Sequence, residues 1–67
     1  MKLTDNQKDA LQYIYNDGGI DEENTLIHKH TINSLYRKNL VTYFYYANCT
    51  MVQLTDGGLR ELELINQ

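Results

Sequence analysis

The chain has 67 residues, which is enough for one domain and leaves no room for a second. Its net charge of −3 is unlike that of general nucleic-acid binders, and its single cysteine cannot close an intrachain disulfide. No apolar run approaches the roughly 18 residues of a membrane span, and the N-terminus lacks a basic-then-apolar signal pattern. These features predict a cytoplasmic protein without a membrane partner.

The charged residues are unevenly distributed along the chain. All 9 acidic residues lie in residues 1–24 and 56–67. The central residues 25–55 contain three cations, Lys29, Arg37 and Lys38, and no Asp or Glu. This acid-free centre indicates more about partners than the total charge does.

The first predicted element is a helix over about residues 4–16. Thr4 followed three residues later by Gln7 is a capping-box pattern. Apolar residues then continue at helical spacing, among them Leu11 and Ile14. Tyr13 points away from this apolar stripe and is therefore a candidate contact residue.

Two further helices are expected before the pattern changes. Residues 21–28 have acids early and apolar residues late, which predicts a short second helix followed by a turn. A third helix is predicted over residues 30–39, with an inward stripe of Ile32, Leu35 and Tyr36. Asn39 ends it, because asparagine tolerates the left-handed conformation of helix C-termini.

Residues 40–54 predict a β-hairpin, since β-branched and aromatic residues flank a turn at Ala47 and Asn48. Thr55 then caps a final helix over about residues 55–66, on which Leu64 points outward. The predicted core of the domain is apolar and consists of Leu11, Ile14, Ile32, Leu35, Leu40, Val52, Leu54, Leu59 and Leu62.

Two motifs in this order of elements resemble a known class of DNA-binding domain. TINSLYRKNLV at residues 31–41 resembles the recognition-helix signature of MarR-type and PadR-type regulators. VQLTDGGL at residues 52–59 resembles the end of their wing and the start of the next helix. The resemblance covers about residues 3–66 and implies one winged helix-turn-helix domain over residues 1–67. Its fold class is α+β, mainly α, with a three-helix core, a β-hairpin wing and a C-terminal helix.

The chain departs from that pattern in three places. Asn39 stands where the family usually has glycine, and the second helix is shorter than usual. The wing has no Arg or Lys between Val41 and Gln53. The predicted wing therefore offers no positive charge for contact with a phosphate or with the minor groove.

The face of the third helix opposite its apolar stripe is polar and contains no acid. Arginine pairs with guanine and asparagine with adenine, while Ser, Thr and Lys contact bases or phosphates in the major groove. We therefore predict a sequence-specific regulator of transcription that binds double-stranded DNA through Lys29, His30, Thr31, Asn33, Ser34, Arg37 and Lys38. The alternative is that these side chains are simply a solvated helix face.

Two other kinds of partner remain open. The acidic ends and the uncharged wing favour a winged-helix protein-protein interaction module without DNA binding. Tyr13 and Leu64, on outward faces of the first and last helices, predict a homodimer, although scattered surface hydrophobes need no explanation. The small size without a sensor domain is typical of a minimal regulator of phage or mobile-element origin.

No catalytic or metal-binding pattern is present, so neither an enzyme nor a cofactor is predicted. His28 and His30 diverge on a helix or turn, and no ligand lies near them at the spacing that a metal needs. Cys49 is far in sequence from either histidine. The tyrosines of the central region could stack on bases, but core and hairpin packing is the commoner role: Tyr36, Tyr43, Tyr45 and Tyr46.

Overall fold

A computed structural model describes residues 2–67 of the chain. Three helices and a three-stranded antiparallel sheet surround one core, so the α+β class is confirmed. The elements in chain order are α1 (Asp5–Asp17), β1 (Ile20–Asp21), α2 (Lys29–Arg37), β2 (Val41–Tyr46), β3 (Cys49–Leu54) and α3 (Asp56–Ile65). Within the described range, no helix combines the length and the apolar character needed to cross a lipid bilayer.

Helix α1 begins and ends as its sequence predicts. The Thr4 N–H donates to Gln7 Oε1 at 2.9 Å, and the Gln7 N–H donates to Thr4 Oγ1 at 3.2 Å, which completes the capping box. At the other end, Gly18 adopts a left-handed φ of 70°, and its N–H and that of Gly19 bond to carbonyls of the last turn.

The predicted helix over residues 21–28 is wrong, because its start is a strand. Ile20 and Asp21 form β1, which pairs antiparallel with β3 through the partners Val52 and Met51. Ile20 is buried in this pairing. The strand order is therefore β1-β3-β2, a pairing that no local pattern around residue 20 indicates.

The rest of this segment, residues 22–28, consists of turns. The Asp21 carboxylate accepts the Glu23 N–H at 2.9 Å, and Thr25 Oγ1 accepts the Ile27 N–H at 3.2 Å. Short polar side chains that bond to nearby backbone N–H groups offer the chain an alternative to helical hydrogen bonds. Here that alternative replaces the predicted helix.

The predicted hairpin is confirmed. Strands β2 and β3 pair in register from Val41 opposite Leu54 to Tyr46 opposite Cys49. The two connecting residues, Ala47 and Asn48, have φ values of 52° and 64°. Positive φ at both positions is the geometry of a two-residue turn that follows the twist of its strands.

Helix α3 is positioned by contacts between backbones. Thr55 Oγ1 accepts the Gly58 N–H at 3.1 Å and donates to the Asn39 carbonyl at 2.6 Å. Gly58 lies directly against the Leu40 backbone, where a Cβ would collide with the carbonyl oxygen. Gly58 and Leu62 are therefore the buried residues of this helix.

Most of the predicted core is confirmed, with two exceptions. The prediction that Leu59 is buried is wrong, because 37% of its surface is exposed. The approach of Gly58 to the neighbouring backbone turns Leu59 to the flank of α3. Leu54 is only half-buried but packs against the core. The core also contains apolar residues that were not predicted, namely Leu3, Ala10, Ile20 and Val41.

Candidate nucleic-acid interface

Helix α2 is the element on which the predicted site depends, and two side chains anchor it. Ile32 and Leu35 are fully buried and fix which face turns outward. The helix begins after His28, whose Nδ1 accepts the His30 N–H at 3.2 Å. The two imidazole rings are stacked with centroids 4.9 Å apart.

Three predicted residues form a line on the outward side of α2. His30, Asn33 and Arg37 are separated by three and four residues, a spacing that places them on one face of a helix. All three are exposed. We call these three residues the outer stripe. Since α2 and its neighbours from residue 25 to 55 contain no acid, no carboxylate on α2 itself would repel a phosphate from this stripe.

The flank of α2 that faces α1 is used differently. Ser34 Oγ accepts a hydrogen bond from the buried Gln7 side chain at 2.9 Å and donates to the Thr31 carbonyl at 2.8 Å. Its hydroxyl proton is therefore committed to the backbone of α2, and its oxygen to the packing of α1 against α2. Thr31 is half-buried beside it, and Lys38 is exposed one turn further along.

The opposite flank of α2 faces the hairpin. Tyr36, expected to point inward, is 48% exposed, because its ring packs on the Tyr43 ring with centroids 5.0 Å apart rather than entering the core. Burial is the main cause of a raised pKa for Tyr43, and the Glu22 carboxylate and Tyr36 raise it further. Lys29 lies on the same flank two turns earlier and is exposed.

The end of α2 directs the chain into the hairpin. Asn39 has a φ of 62°, and its N–H donates to the Tyr36 carbonyl at 3.0 Å. The Leu40 N–H donates to the Leu35 carbonyl, also at 3.0 Å. This pair of bonds is a Schellman motif, so asparagine performs the role expected of it at this position.

The hairpin is aromatic rather than cationic. Tyr45 is 84% exposed, and it lies two residues after Tyr43 on the same face of β2. Tyr36, Tyr43 and Tyr45 therefore form a row that runs from α2 toward the hairpin turn. Tyrosine hydroxyls can donate to phosphate oxygens. Sequence reasoning named these tyrosines but could not place them in one row, since the row depends on the contact between α2 and β2.

Tyr13 and Leu64, predicted together at a dimer interface, are both exposed. Gln12 and Tyr15 occupy the flank of α1 that meets α3, and the Asn66 side chain donates to Gln12 Oε1 at 3.1 Å. Tyr13 lies on the other flank of α1. Leu64 is exposed on the side of α3 away from the buried Leu62.

A groove of about 370 Å³ lies between α1 and the turns that precede α2. We call it the Leu26 groove, since Leu26 stands 95% exposed at its edge. No local sequence pattern indicates this groove, because it forms only where the turns of residues 22–28 replace a helix. Its lining residues are Asn6, Asp9, Ala10, Tyr13, Leu26, Ile27, His28 and Thr31.

The remaining chemistry-bearing groups do not form a site. Asp21 beside Cys49 raises the pKa of that thiol, which disfavours the reactive thiolate. The backbone N–H of Glu23 is the main cause of a lowered pKa for the Asp21 carboxyl. Among residues 2–67, no group of three His, Cys, Asp or Glu side chains is arranged to hold a metal ion.

Comparison of the chain with protein-family models, with curated proteins and with solved structures found no match in any of the three. Function must therefore be inferred from the chain's own geometry.

Proposed function

We propose that the protein is a sequence-specific regulator that binds double-stranded DNA, with α2 in the major groove. The observation that carries this proposal is the outer stripe: His30, Asn33 and Arg37 are aligned, exposed and on a helix without acids. An exposed helix of this kind can enter the major groove and present its side chains to base edges.

We further propose that the domain is a reduced winged helix. Three features support this: α2 leads directly into the hairpin, β1 completes the sheet beside β3, and α3 follows the wing. The helix that normally precedes a recognition helix is replaced by the turns of residues 22–28. In its place, the Gln7–Ser34 hydrogen bond ties α2 directly to α1.

The proposed contacts divide into base reading and phosphate binding. Arg37 can pair with guanine and Asn33 with adenine, each good bidentate pair contributing roughly 1–3 kcal/mol of discrimination. The exposed Lys29 and Lys38 are suited to the phosphates on either side of the helix. Tyr45 supplies a neutral hydroxyl donor on a wing that has no cation. Ser34 positions the helix, and Thr31 lies at the edge of the contact surface.

The test is a charge reversal with a matched control. Arg37→Glu should abolish binding to duplex DNA while leaving the fold intact, because the side chain is exposed. Arg60→Glu makes the same change at an exposed position of α3 and should leave affinity almost unchanged. Binding is measured by fluorescence anisotropy at low salt, first on a mixed duplex pool and then on sequences selected from it.

The salt dependence sharpens the same test. Each neutralised phosphate contributes about −0.9 to the slope of log affinity against log salt, so three cations predict a slope of about −2 to −3 per chain. Lys38→Ala, which removes one cation and keeps Arg37, should make the slope shallower by about 0.9. If the folded Arg37→Glu protein binds selected DNA as well as the parent does, recognition through α2 is refuted.

The second candidate function is a protein-interaction module, and the exposure of Leu26 favours it. A protein partner would be expected to use an apolar recess such as the Leu26 groove, and it would tolerate the acidic ends. Chemical shifts in a DNA titration separate the two functions. Signals of residues 29–38 move under the DNA proposal, whereas no amide responds if the protein only binds other proteins.

A further inference from the structure

Leu26 is exposed to a degree that the DNA proposal does not explain. With 95% of its surface in water, it gains almost nothing from the folding of its own chain. Single exposed hydrophobes are common on protein surfaces. This one differs because it projects at the rim of a recess whose lining includes Ala10, Tyr13 and Ile27.

We propose that the Leu26 groove is a self-association surface, in which Leu26 of each copy enters the groove of the other across a twofold axis. In a twofold contact the same surface patch of each subunit meets its copy on the other subunit. The patch must therefore contain both a side chain that projects and a recess that can receive the same side chain of the partner. The Leu26 groove meets this requirement, since the leucine and the recess lie side by side. Tyr13 then becomes an interface residue without any contribution from Leu64.

The hydrogen-bonding groups of the two walls favour a second copy as the occupant. The α1 wall carries the Asp9 carboxylate, which accepts hydrogen bonds, whereas the other wall carries the His28 ring, which can donate one. A twofold axis places the α1 wall of one copy against the His28 wall of the other.

The hydrogen bonding of His28 fits the same arrangement. Its Nδ1 accepts the His30 N–H, so in the neutral ring Nε2 carries the proton. That N–H can donate to a carboxylate of a second copy, and Asp9 is the carboxylate that lines the groove. The helix cap of α2 and the proposed interface therefore use different nitrogens of one ring.

Association through this surface leaves the outer stripe free. The groove reaches α2 only at its first turn, through His28 and Thr31. Asn33 and Arg37 lie further along the helix and face away from α1. Self-association and DNA binding are therefore separable, and a dimer would present two outer stripes in one particle.

The experiment measures the oligomeric state of the full chain by sedimentation equilibrium from low to high micromolar concentration. The parent should form dimers, and Leu26→Asp should raise the dimer dissociation constant by roughly tenfold or more, because a carboxylate would enter an apolar recess. Leu64→Asp is the matched control and should dissociate like the parent. Circular dichroism checks that both variants keep the helical content of the parent.

A charge swap tests the orientation of the two copies. Asp9→Lys and His28→Asp should each weaken the dimer, and the double variant should restore it, since aspartate also caps helices well. Four outcomes overturn the proposal: a monomeric parent at high micromolar concentration, an unaffected Leu26→Asp dimer, a dimer broken by Leu64→Asp, or a double variant weaker than either single one.

Discussion

Helices α2 and α3 are similar in length and differ in how they are held and in what they present. Two large side chains, Ile32 and Leu35, anchor α2, whereas α3 approaches the neighbouring backbone closely at Gly58. The exposed side of α2 has no acid, and that of α3 mixes Arg60 with acidic residues. Anchoring by side chains leaves the opposite face of α2 free to differ chemically from the rest of the protein. Only α2 therefore suits a polyanion.

The largest expected effect tests the anchoring of α2. Leu35→Ala should lower the free energy of unfolding by about 2–5 kcal/mol, because it removes a fully enclosed side chain and leaves a cavity. Leu62→Ala on α3 should cost about 2 kcal/mol, at the low end of that range, since a C-terminal helix can shift to fill part of the space. Urea unfolding measures both. A Leu35→Ala protein as stable as the parent would contradict the anchoring of α2 by side chains.

An intermediate effect tests the backbone contact of α3. Gly58→Ala should destabilise the protein by about 1–3 kcal/mol, because the new Cβ would meet the Leu40 carbonyl group and would lie 3.3 Å from the Leu54 Cβ. Neither neighbour is the flexible end of a side chain, so the helix itself must move.

Gly57→Ala is the matched control for that substitution. A Cβ at residue 57 would lie 3.4 Å from the Asn39 oxygen, which is ordinary contact. Alanine has the better helix propensity, so this variant should gain up to about 1 kcal/mol. Thermal unfolding of the two variants gives the comparison. Equal melting temperatures would show that α3 does not depend on close backbone approach.

The smallest effect compares the two helix caps. Thr55→Ala should cost about 1–2 kcal/mol, because it removes both the cap of α3 and the hydrogen bond to the Asn39 carbonyl. His28→Ala removes one exposed capping hydrogen bond of 3.2 Å and should lower the free energy of unfolding by about 0.5 kcal/mol. Urea midpoints rank the two variants. The reverse order would mean that the stacked histidines hold the start of α2 more firmly than their contacts indicate.

The accuracy of the sequence predictions differs between two neighbouring parts of the chain. The hairpin was predicted correctly, because a run of β-branched and aromatic residues before a turn leaves few other choices. Residues 21–28 were predicted as a helix from acids followed by apolar residues. The pairing of Ile20 with Val52 and the side-chain hydrogen bonds of Asp21 and Thr25 prevented it.

In the candidate site, too, some features could be predicted from the sequence and others could not. Exposure of the outer stripe follows from the spacing of Ile32 and Leu35, which is visible in the sequence. The commitment of Ser34 to Gln7 is not visible, because the two residues are 27 positions apart and meet only when α1 packs on α2. The contact between α2 and the hairpin left Tyr36 at the surface against Tyr43.

The sequence by itself determined the elements whose signals are local. These are the capping box of α1, the left-handed Asn39, the hairpin and the cap of α3, since each involves hydrogen bonds or apolar spacing within a few residues. Tertiary structure decided the third strand, the exposure of Leu59 and the Leu26 groove. Each of these depends on contacts between residues distant in sequence, whose free energy exists only once the whole chain has packed.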